Sequence, residues 1–442
     1  MSQDASPAAE PLAKAVTNRR VLIGSLSGSA IEWYDFLLYA SVAPIIFNKQ
    51  FFGVEDAFLA LMLAYLGNLL TFVVRPFGGA IFAHIGDRIG RKVTLVATLT
   101  IMGLGTVAIG LLPNYAQIGM AAPILLYTFR IIQGLAIGGE WGGALLLAYE
   151  YAPKNRRGFF GSIPQIGVTI GLLMGNGAVL LANLLPSEQF ESWGWRIPFV
   201  ASIVLVFIGL WIRKGLDETP AFKAMKKQNK VEKVPLVTAF TKHWRAVLIA
   251  TGTKAAETAP FYIFVTFIVA YATNPDTLNF SRGDALTAVL LGALVATILV
   301  PFFGKWSDTT GRRPMYMAGV VGLAIVGFIY FMLVETGSVA MLILASVLGL
   351  GIAWAPVTAT LGTMMSETFS AEVRYTGITM GYQLGSALFS GTAPMIALAL
   401  VGAYKSWVPV AIYMAVVCAI SFVAAYLAKH VAVAEDHVDE HA

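Results

Sequence analysis

Polar and apolar positions do not alternate along this chain. They come in blocks. Apolar runs of roughly 20 residues or more, enough to cross a bilayer core at about 1.5 Å per residue, are separated by short polar gaps. The pattern predicts twelve helical segments, over 21–47, 57–84, 93–112, 121–149, 159–185, 196–213, 244–272, 284–303, 314–334, 338–366, 375–402 and 407–428. Segments four and ten are long enough to tilt or to extend beyond the core. One gap is extended, 214–243, and it carries Lys223, Lys226, Lys227, Lys230 and Lys233. The expected fold class is an all-α membrane protein with this organisation: a polar tail (1–20), a six-helix unit (21–213), a basic linker (214–243), a second six-helix unit (244–428) and a polar tail (429–442).

Two gaps carry the same stretch. GDRIGRK (Gly86 to Lys92) follows the second run, and SDTTGRR (Ser307 to Arg313) follows the eighth. Both keep an Asp, a Gly three residues on and two adjacent basic residues. These are Asp87, Gly90, Arg91 and Lys92, then Asp308, Gly311, Arg312 and Arg313, with the two Asp residues 221 positions apart. Glu150 precedes Arg157 by seven residues, and Glu367 precedes Arg374 by the same seven. Gln165 and Gly167 return as Gln383 and Gly385. One Asp-x-x-Gly-Arg-Lys is an ordinary surface turn. Two copies at half-chain spacing, between membrane-length runs, are an internal duplication of the kind found in transporters with parallel repeats.

Composition agrees with the blocks. Hydrophobic residues make up 57% of the 442 and charged ones only 12%, against about 25% charged in soluble chains, so no soluble domain of any size is left over. The net charge of +5 says little about partners, and no nucleic-acid ligand is expected. Its distribution says more. Of the 30 Lys and Arg, twenty-three flank the ends of the runs on the side of the amino terminus; four (Lys49, Arg196, Arg282, Lys405) lie on the other side, and Arg75, Arg130 and Lys254 lie inside segments. By the positive-inside rule both termini and the linker are cytoplasmic. The single Cys418 excludes an intrachain disulfide and a Cys-based metal site. Glycines such as Gly134, Gly138, Gly167 and Gly171 suit close helix packing. The string GLAIGGEWGG follows no strand and is not a nucleotide loop. No nucleophile–base pair lies at membrane depth, so no enzyme and no cofactor beyond a coupling proton is expected.

Charges inside membrane segments are costly and point to function. Counting from the segment limits puts Glu32, Asp35, Arg130, Lys254 and Glu257 near mid-bilayer. Glu32 and Asp35 are three apart, as are Lys254 and Glu257, so each pair shares a helical face. Arg130 suits a substrate carboxylate, because a guanidinium pairs bidentately. Lys254 is a second cation for it. Asp35, Glu32 or Glu257 is the candidate proton carrier, since burial and a neighbouring carboxylate favour protonation. Gln133, Gln165, Tyr382 and Gln383 can supply neutral hydrogen bonds. The same counting puts Arg75 and Glu140 closer to the cytoplasmic side. With Asp87, Arg88, Gly90, Arg91, Glu150, Arg157, Asp308, Gly311, Arg312, Glu367 and Arg374 they form an expected charge lattice at an inner gate.

The repeated loop resembles the signature loop of the major facilitator superfamily. IEWYDFLLYA (31–40), RPFGG (75–79), RIIQGLAIGGEWGGA (130–144) and WGWRIPF (193–199) are similar to the metabolite:proton symporter family within it. Shikimate, α-ketoglutarate, citrate and proline/betaine permeases belong to that family, and GEWGGA followed by APKN resembles the shikimate-type branch. The resemblance implies two six-helix bundles around a cavity lined by segments one, four, seven and ten. It also implies a multi-pass bacterial inner-membrane protein, acting as a monomer, that imports a small organic acid with protons. Symport of a zwitterion such as betaine is the alternative, although the short carboxy-terminal tail lacks a heptad repeat. A non-cycling nutrient receptor is a more remote reading.

The orientation has a direct check. In intact cells an impermeant thiol reagent is expected to miss a cysteine placed at Gln228 and to label one placed at Asn279. The reverse pattern would invert the topology.

Overall fold

The computed structural model describes residues 9–89, 91–138, 145, 148–149, 152–214, 241, 243–369 and 374–428. Twelve helical segments occur among them, and no strand. They are α1 (Leu26–Gln50), α2 (Ala57–Ile89), α3 (Arg91–Leu111), α4 (Ala121–Ile137), α5 (Arg157–Ala182), α6 (Arg196–Lys214), α7 (Trp244–Thr273), α8 (Arg282–Thr310), α9 (Arg312–Val334), α10 (Val339–Thr368), α11 (Thr376–Tyr404) and α12 (Val408–Ala428). The helix that contains α1 begins as early as Ala9, before the sequence-expected limit. A short helix, Ser187–Gly194, precedes α6 at a bend of 46°.

The packing repeats. Within the first half α1 packs on α5 and α6, α2 on α4, and α3 on α4 and α6. Within the second half the equivalent pairs meet: α7 with α11 and α12, α8 with α10, and α9 with α10 and α12. Small residues let backbones meet inside each half. A side chain at Gly134 or Gly138 would collide with backbone atoms of Thr71 or Arg75 on α2. Even local irregularities are duplicated. π-helical turns occur at Ala43–Phe47 in α1 and at Ile263–Phe267 in α7, with Pro44 in the first and Pro260 just before the second. Proline removes a backbone donor, which favours such a turn. On the outside the helices present Phe77, Leu181, Phe207, Trp211 and Ile298 among many exposed apolar side chains, a surface solvated by lipid.

Two equivalent contacts, α5 with α8 and α2 with α11, join the halves. The first is a close backbone approach. A Cβ on Gly158 would lie 2.5 Å from the Gly304 carbonyl oxygen, and one on Gly304 would lie 2.4 Å from the Ser162 hydroxyl. At the end of this seam the Asp308 carboxylate accepts from the backbone N–H groups of Gly158 (2.8 Å) and Phe159 (3.1 Å). These are orphan donors in the first turn of α5, where an anion is stabilised by the helix dipole. Arg312 pairs with the same carboxylate at 2.8 Å and with Glu367 at 3.3 Å. Gly311, at φ 89°, supplies the left-handed turn between α8 and α9 that brings Arg312 back. Arg157 and Arg374 both approach the ring of Tyr149, at 4.5 and 5.6 Å. The second-repeat members of the expected lattice thus form a clasp across the seam. Gly90, Glu140 and Glu150, and the side chains of Asp87, Arg88 and Arg91, lie outside the described residues.

The halves also touch at the opposite end. Arg282, at the start of α8, pairs with Glu191 in the turn before α6, and the Tyr65 hydroxyl of α2 donates to the Thr266 carbonyl of α7 at 3.4 Å. Six charged side chains inside the segments, among the described residues, are themselves nearly inaccessible, at 7% exposure or less.

The clasp at Asp308 generates a prediction. Asp308→Asn removes the anion from the α5 terminus and from Arg312, a loss of about 1–3 kcal/mol. A cysteine at Ser162, buried against Gly304, is then expected to react at least several-fold faster with a thiol reagent. Unchanged reactivity would reduce this loop to a surface turn.

Candidate functional site

Among the described residues six charged side chains are buried inside the segments: Glu32 and Asp35 on α1, Arg75 on α2, Arg130 on α4, and Lys254 and Glu257 on α7. They divide into three electrostatic situations.

Arg130 is fully satisfied by neutral groups. Its guanidinium donates to the Gln133 side-chain oxygen (2.9 Å), to the Asn68 side-chain oxygen (3.0 Å) and to the Gly67 carbonyl (3.4 Å). The ring of Tyr39 lies 4.0 Å from it and that of Phe36 5.1 Å. Gln133 in turn donates to Thr106 at 2.9 Å. The fork expected to meet a substrate carboxylate is already held by two amides from its own half.

Lys254 and Glu257 neutralise each other, one turn apart on α7. Close contact with α11 sets the depth of the pair, since a Cβ on Gly385 would lie 2.5 Å from that of Lys254. The Lys254 ammonium sits 3.8 Å from the centre of the Tyr382 ring. From α10, Trp354 donates its indole N–H to the Glu257 carbonyl at 2.6 Å, and Thr358 lies 3.4 Å from the carboxylate.

Arg75 is the exception. It is 2% exposed, and among the described residues it makes no hydrogen bond or ion pair; its Nε has no partner. Its guanidinium lies against the rings of Phe36 (4.5 Å) and Phe72 (4.2 Å), cation–π contacts worth about 0.5–2 kcal/mol each. Tyr262 closes the box, edge-on to both rings, with its hydroxyl unpartnered. Glu32, Tyr262, Tyr382, Lys254 and Arg130 are all within electrostatic reach of this guanidinium.

This placement corrects the linear count. Arg75, assigned to the inner-gate lattice, belongs to the central cluster, because α2 runs from Ala57 to Ile89 and position 75 is close to its middle. Asp35 is corrected in the other sense. It is buried, but against α3 and α6 and away from α7: a Cβ on Gly103 would lie 3.6 Å from its carboxylate, and Thr106 and Ser202 stand beside it. Those hydroxyls donate instead to the Met102 and Phe199 carbonyls, and neither Asp35 oxygen has a hydrogen-bond partner. Residues three apart are about 60° apart around a helix, enough for Glu32 to face the seam while Asp35 faces its own bundle.

The expected neutral groups are buried too. Gln165 has neither amide atom bonded, and Gln383 donates across the seam to the Gly138 carbonyl at 3.0 Å, leaving its oxygen free. Tyr382 lies under Lys254. The arrangement is a buried polar cluster among aromatic side chains; among the described residues it holds one cation without an ion-paired carboxylate and several unsatisfied hydrogen-bonding groups. Among the described residues no cluster of His, Cys, Asp and Glu could hold a metal ion.

Comparison with known proteins bears on the fold and the family. The family model described as Major Facilitator Superfamily matches residues 25–390 and 264–441. The Shikimate transporter of Escherichia coli K12 is 39% identical over 93% of this chain and 94% of its own. The Inner membrane metabolite transport protein YhjE of the same organism is 41% identical over 86% and 87%. The Proline/betaine transporter of Salmonella typhimurium is 32% identical over 94% and 84%. Among solved structures, a D-xylose-proton symporter aligns over 94% of this chain and 98% of its own, with a TM-score of 0.69 at 16% identity.

The Arg130 cradle can be tested by truncation. Gln133→Ala and Asn68→Ala each leave a buried guanidinium short of an acceptor, so each is expected to cost about 1–3 kcal/mol. Thermal unfolding of purified protein should show both losses, and the double variant should fall short of their sum because the two share one partner. Two unchanged melting temperatures would mean that the cradle is dispensable.

Proposed function

The chain belongs to the Major Facilitator Superfamily and is a multi-pass membrane transporter of small molecules, not an enzyme; from that premise we propose that it imports a small organic acid together with protons by alternating access. One observation carries the substrate class. Among the described residues Arg75 is a buried guanidinium with no ion-paired carboxylate, in a cluster between two halves that touch at both ends. An unpaired buried charge is expensive, and an entering carboxylate removes that cost while gaining a charge-assisted contact. Arg75 is therefore the carboxylate anchor in this reading. Arg130, with its amide cradle, fixes the wall beside it. Gln165, Gln383 and the Tyr262 hydroxyl have hydrogen-bonding capacity left for substrate hydroxyls.

The identity to a shikimate transporter supports an acid of that kind. Betaine, suggested by the proline/betaine relative, fits less well. The aromatic faces of Phe36 and Phe72 that could hold a quaternary ammonium already hold Arg75. Proton coupling is proposed because three acids, Glu32, Asp35 and Glu257, are buried at the depth of the cluster. Both termini are proposed to face the cytoplasm, and the two clasps to open alternately.

The test is uptake of radiolabelled shikimate, α-ketoglutarate, citrate, glycine betaine and proline in proteoliposomes, with and without an imposed proton gradient. Gradient-driven accumulation is expected for an acid and abolished by a protonophore. Arg75→Lys is expected to weaken binding of that acid at least tenfold, or about 1.4 kcal/mol, because the planar fork is lost. Wild-type uptake indifferent to the gradient would make the protein a facilitator. Normal acid binding by Arg75→Met would return the anchor to Arg130.

A further inference from the structure

Two buried cations, one from each half, differ in one respect. Arg75, on α2 of the first half, has no ion-paired carboxylate among the described residues, whereas Lys254, on α7 of the second, is held by Glu257. They are within electrostatic reach of each other, and Tyr382 and Tyr262 sense both Arg75 and Glu257. A carboxylate entering the cluster meets Arg75 first as a free partner. To bridge the halves it must also engage Lys254, and the Lys254 ammonium is then shared between two carboxylates.

We propose that Glu257 is the proton-coupling acid, and that the substrate carboxylate displaces it from Lys254. This inference rests on the symporter reading above and names the residue through which it operates. The events balance in charge. Before binding, Lys254 and Glu257 sum to zero and Arg75 carries one positive charge. A monoanion bridging Arg75 and Lys254 leaves Glu257 as an unpaired carboxylate in a buried cluster. One proton, taken from the medium before closure and placed on the freed Glu257 oxygen, removes that charge. Substrate and proton are then bound together or not at all. Release on the other side reverses both: the acid leaves, Glu257 gives up its proton and re-forms the pair with Lys254.

Among the described residues the surroundings of Glu257 offer no second cation to substitute. Lys254 is on its own helix; Trp354 and Thr358 face it from α10, Tyr382 from α11 and Tyr316 from α9. From the other half Arg75, already given to the substrate, acts with Glu257 on Tyr262 and Tyr382, and Glu32 adds negative charge near Arg75 and Tyr382. Asp35, the other buried acid of comparable depth, faces α3 and α6 and has no contact through which a substrate in the seam could displace it.

Shikimate is the probe, replaced by whichever of the five test compounds the wild type accumulates. Binding to wild type in weakly buffered solution is expected to take up about one proton per molecule, so that affinity falls up to tenfold per pH unit in the alkaline range. Glu257→Gln should exchange the acid in counterflow but accumulate none above equilibrium, and its affinity should be flat with pH. Asp35→Asn and Glu32→Gln, measured alongside, should retain the wild-type pH slope. Gradient-driven accumulation by Glu257→Gln with the wild-type slope overturns the proposal, as does transfer of the loss to Asp35→Asn alone. If Glu257→Gln does not yield folded protein, Glu257→Asp keeps the acid but shortens its reach to Lys254. It is expected to accumulate the acid with a displaced pH midpoint, and a profile superimposable on wild type overturns the proposal. Failure of symport itself is seen separately, as wild-type uptake that ignores the gradient.

Discussion

Charge inside a membrane-embedded protein needs a partner, and in this chain the partners are distributed unequally. Desolvating an ion costs several kcal/mol even after relaxation. Lys254 and Glu257 meet that cost within one helix turn, and Arg130 meets it with two amides and a carbonyl. Arg75 meets it only in part, through the faces of two phenylalanines. The rest of the architecture makes this inequality usable. Tight glycine contacts place the helices, the halves meet around the cluster, and in the proposed cycle the two clasps at its ends decide which side reaches it.

The clasps are built differently. The contact at Asp308 uses a carboxylate against helix N–H groups and a neighbouring guanidinium, a directional arrangement with little slack. The contact at Arg282 and Glu191 joins two partly exposed side chains, of the kind generally worth no more than about 1 kcal/mol. The polar contact at Arg282 therefore costs less to break than the one at Asp308. In the proposed cycle substrate adds a contact that spans both halves.

Much of this was legible in the sequence. Long apolar blocks and a duplicated loop specify twelve helices in two equivalent units, because bilayer thickness fixes helix length and a repeat fixes topology. Five of the six central charges stand out as charges in apolar blocks at mid-depth. The sixth, Arg75, was misplaced because depth was measured from the edge of an apolar run, whereas α2 continues through the polar loop residues to Ile89. The separate orientations of Glu32 and Asp35 were hidden for another reason. Shared helical face is a coarse description, and a 60° difference decides which neighbour a side chain meets only once helices are packed. The amide cradle of Arg130 depends on Asn68 from α2, a contact between helices that no spacing along one of them reveals.

Positions 32 and 35 of the first repeat correspond, 222 residues on, to positions 254 and 257 of the second. The later acid is kept in kind, as Asp35 and Glu257, but the earlier position has changed sign, from Glu32 to Lys254. Two identical copies of the first half would confront each other with four acids on their first helices. Two copies of the second would each be internally neutral there, with no call on the other. The difference in sign at this one site makes the two repeats distinct rather than interchangeable. Each half has become the specific partner of the other, as the subunits of an obligate heterodimer are, and a single chain keeps them in equal number.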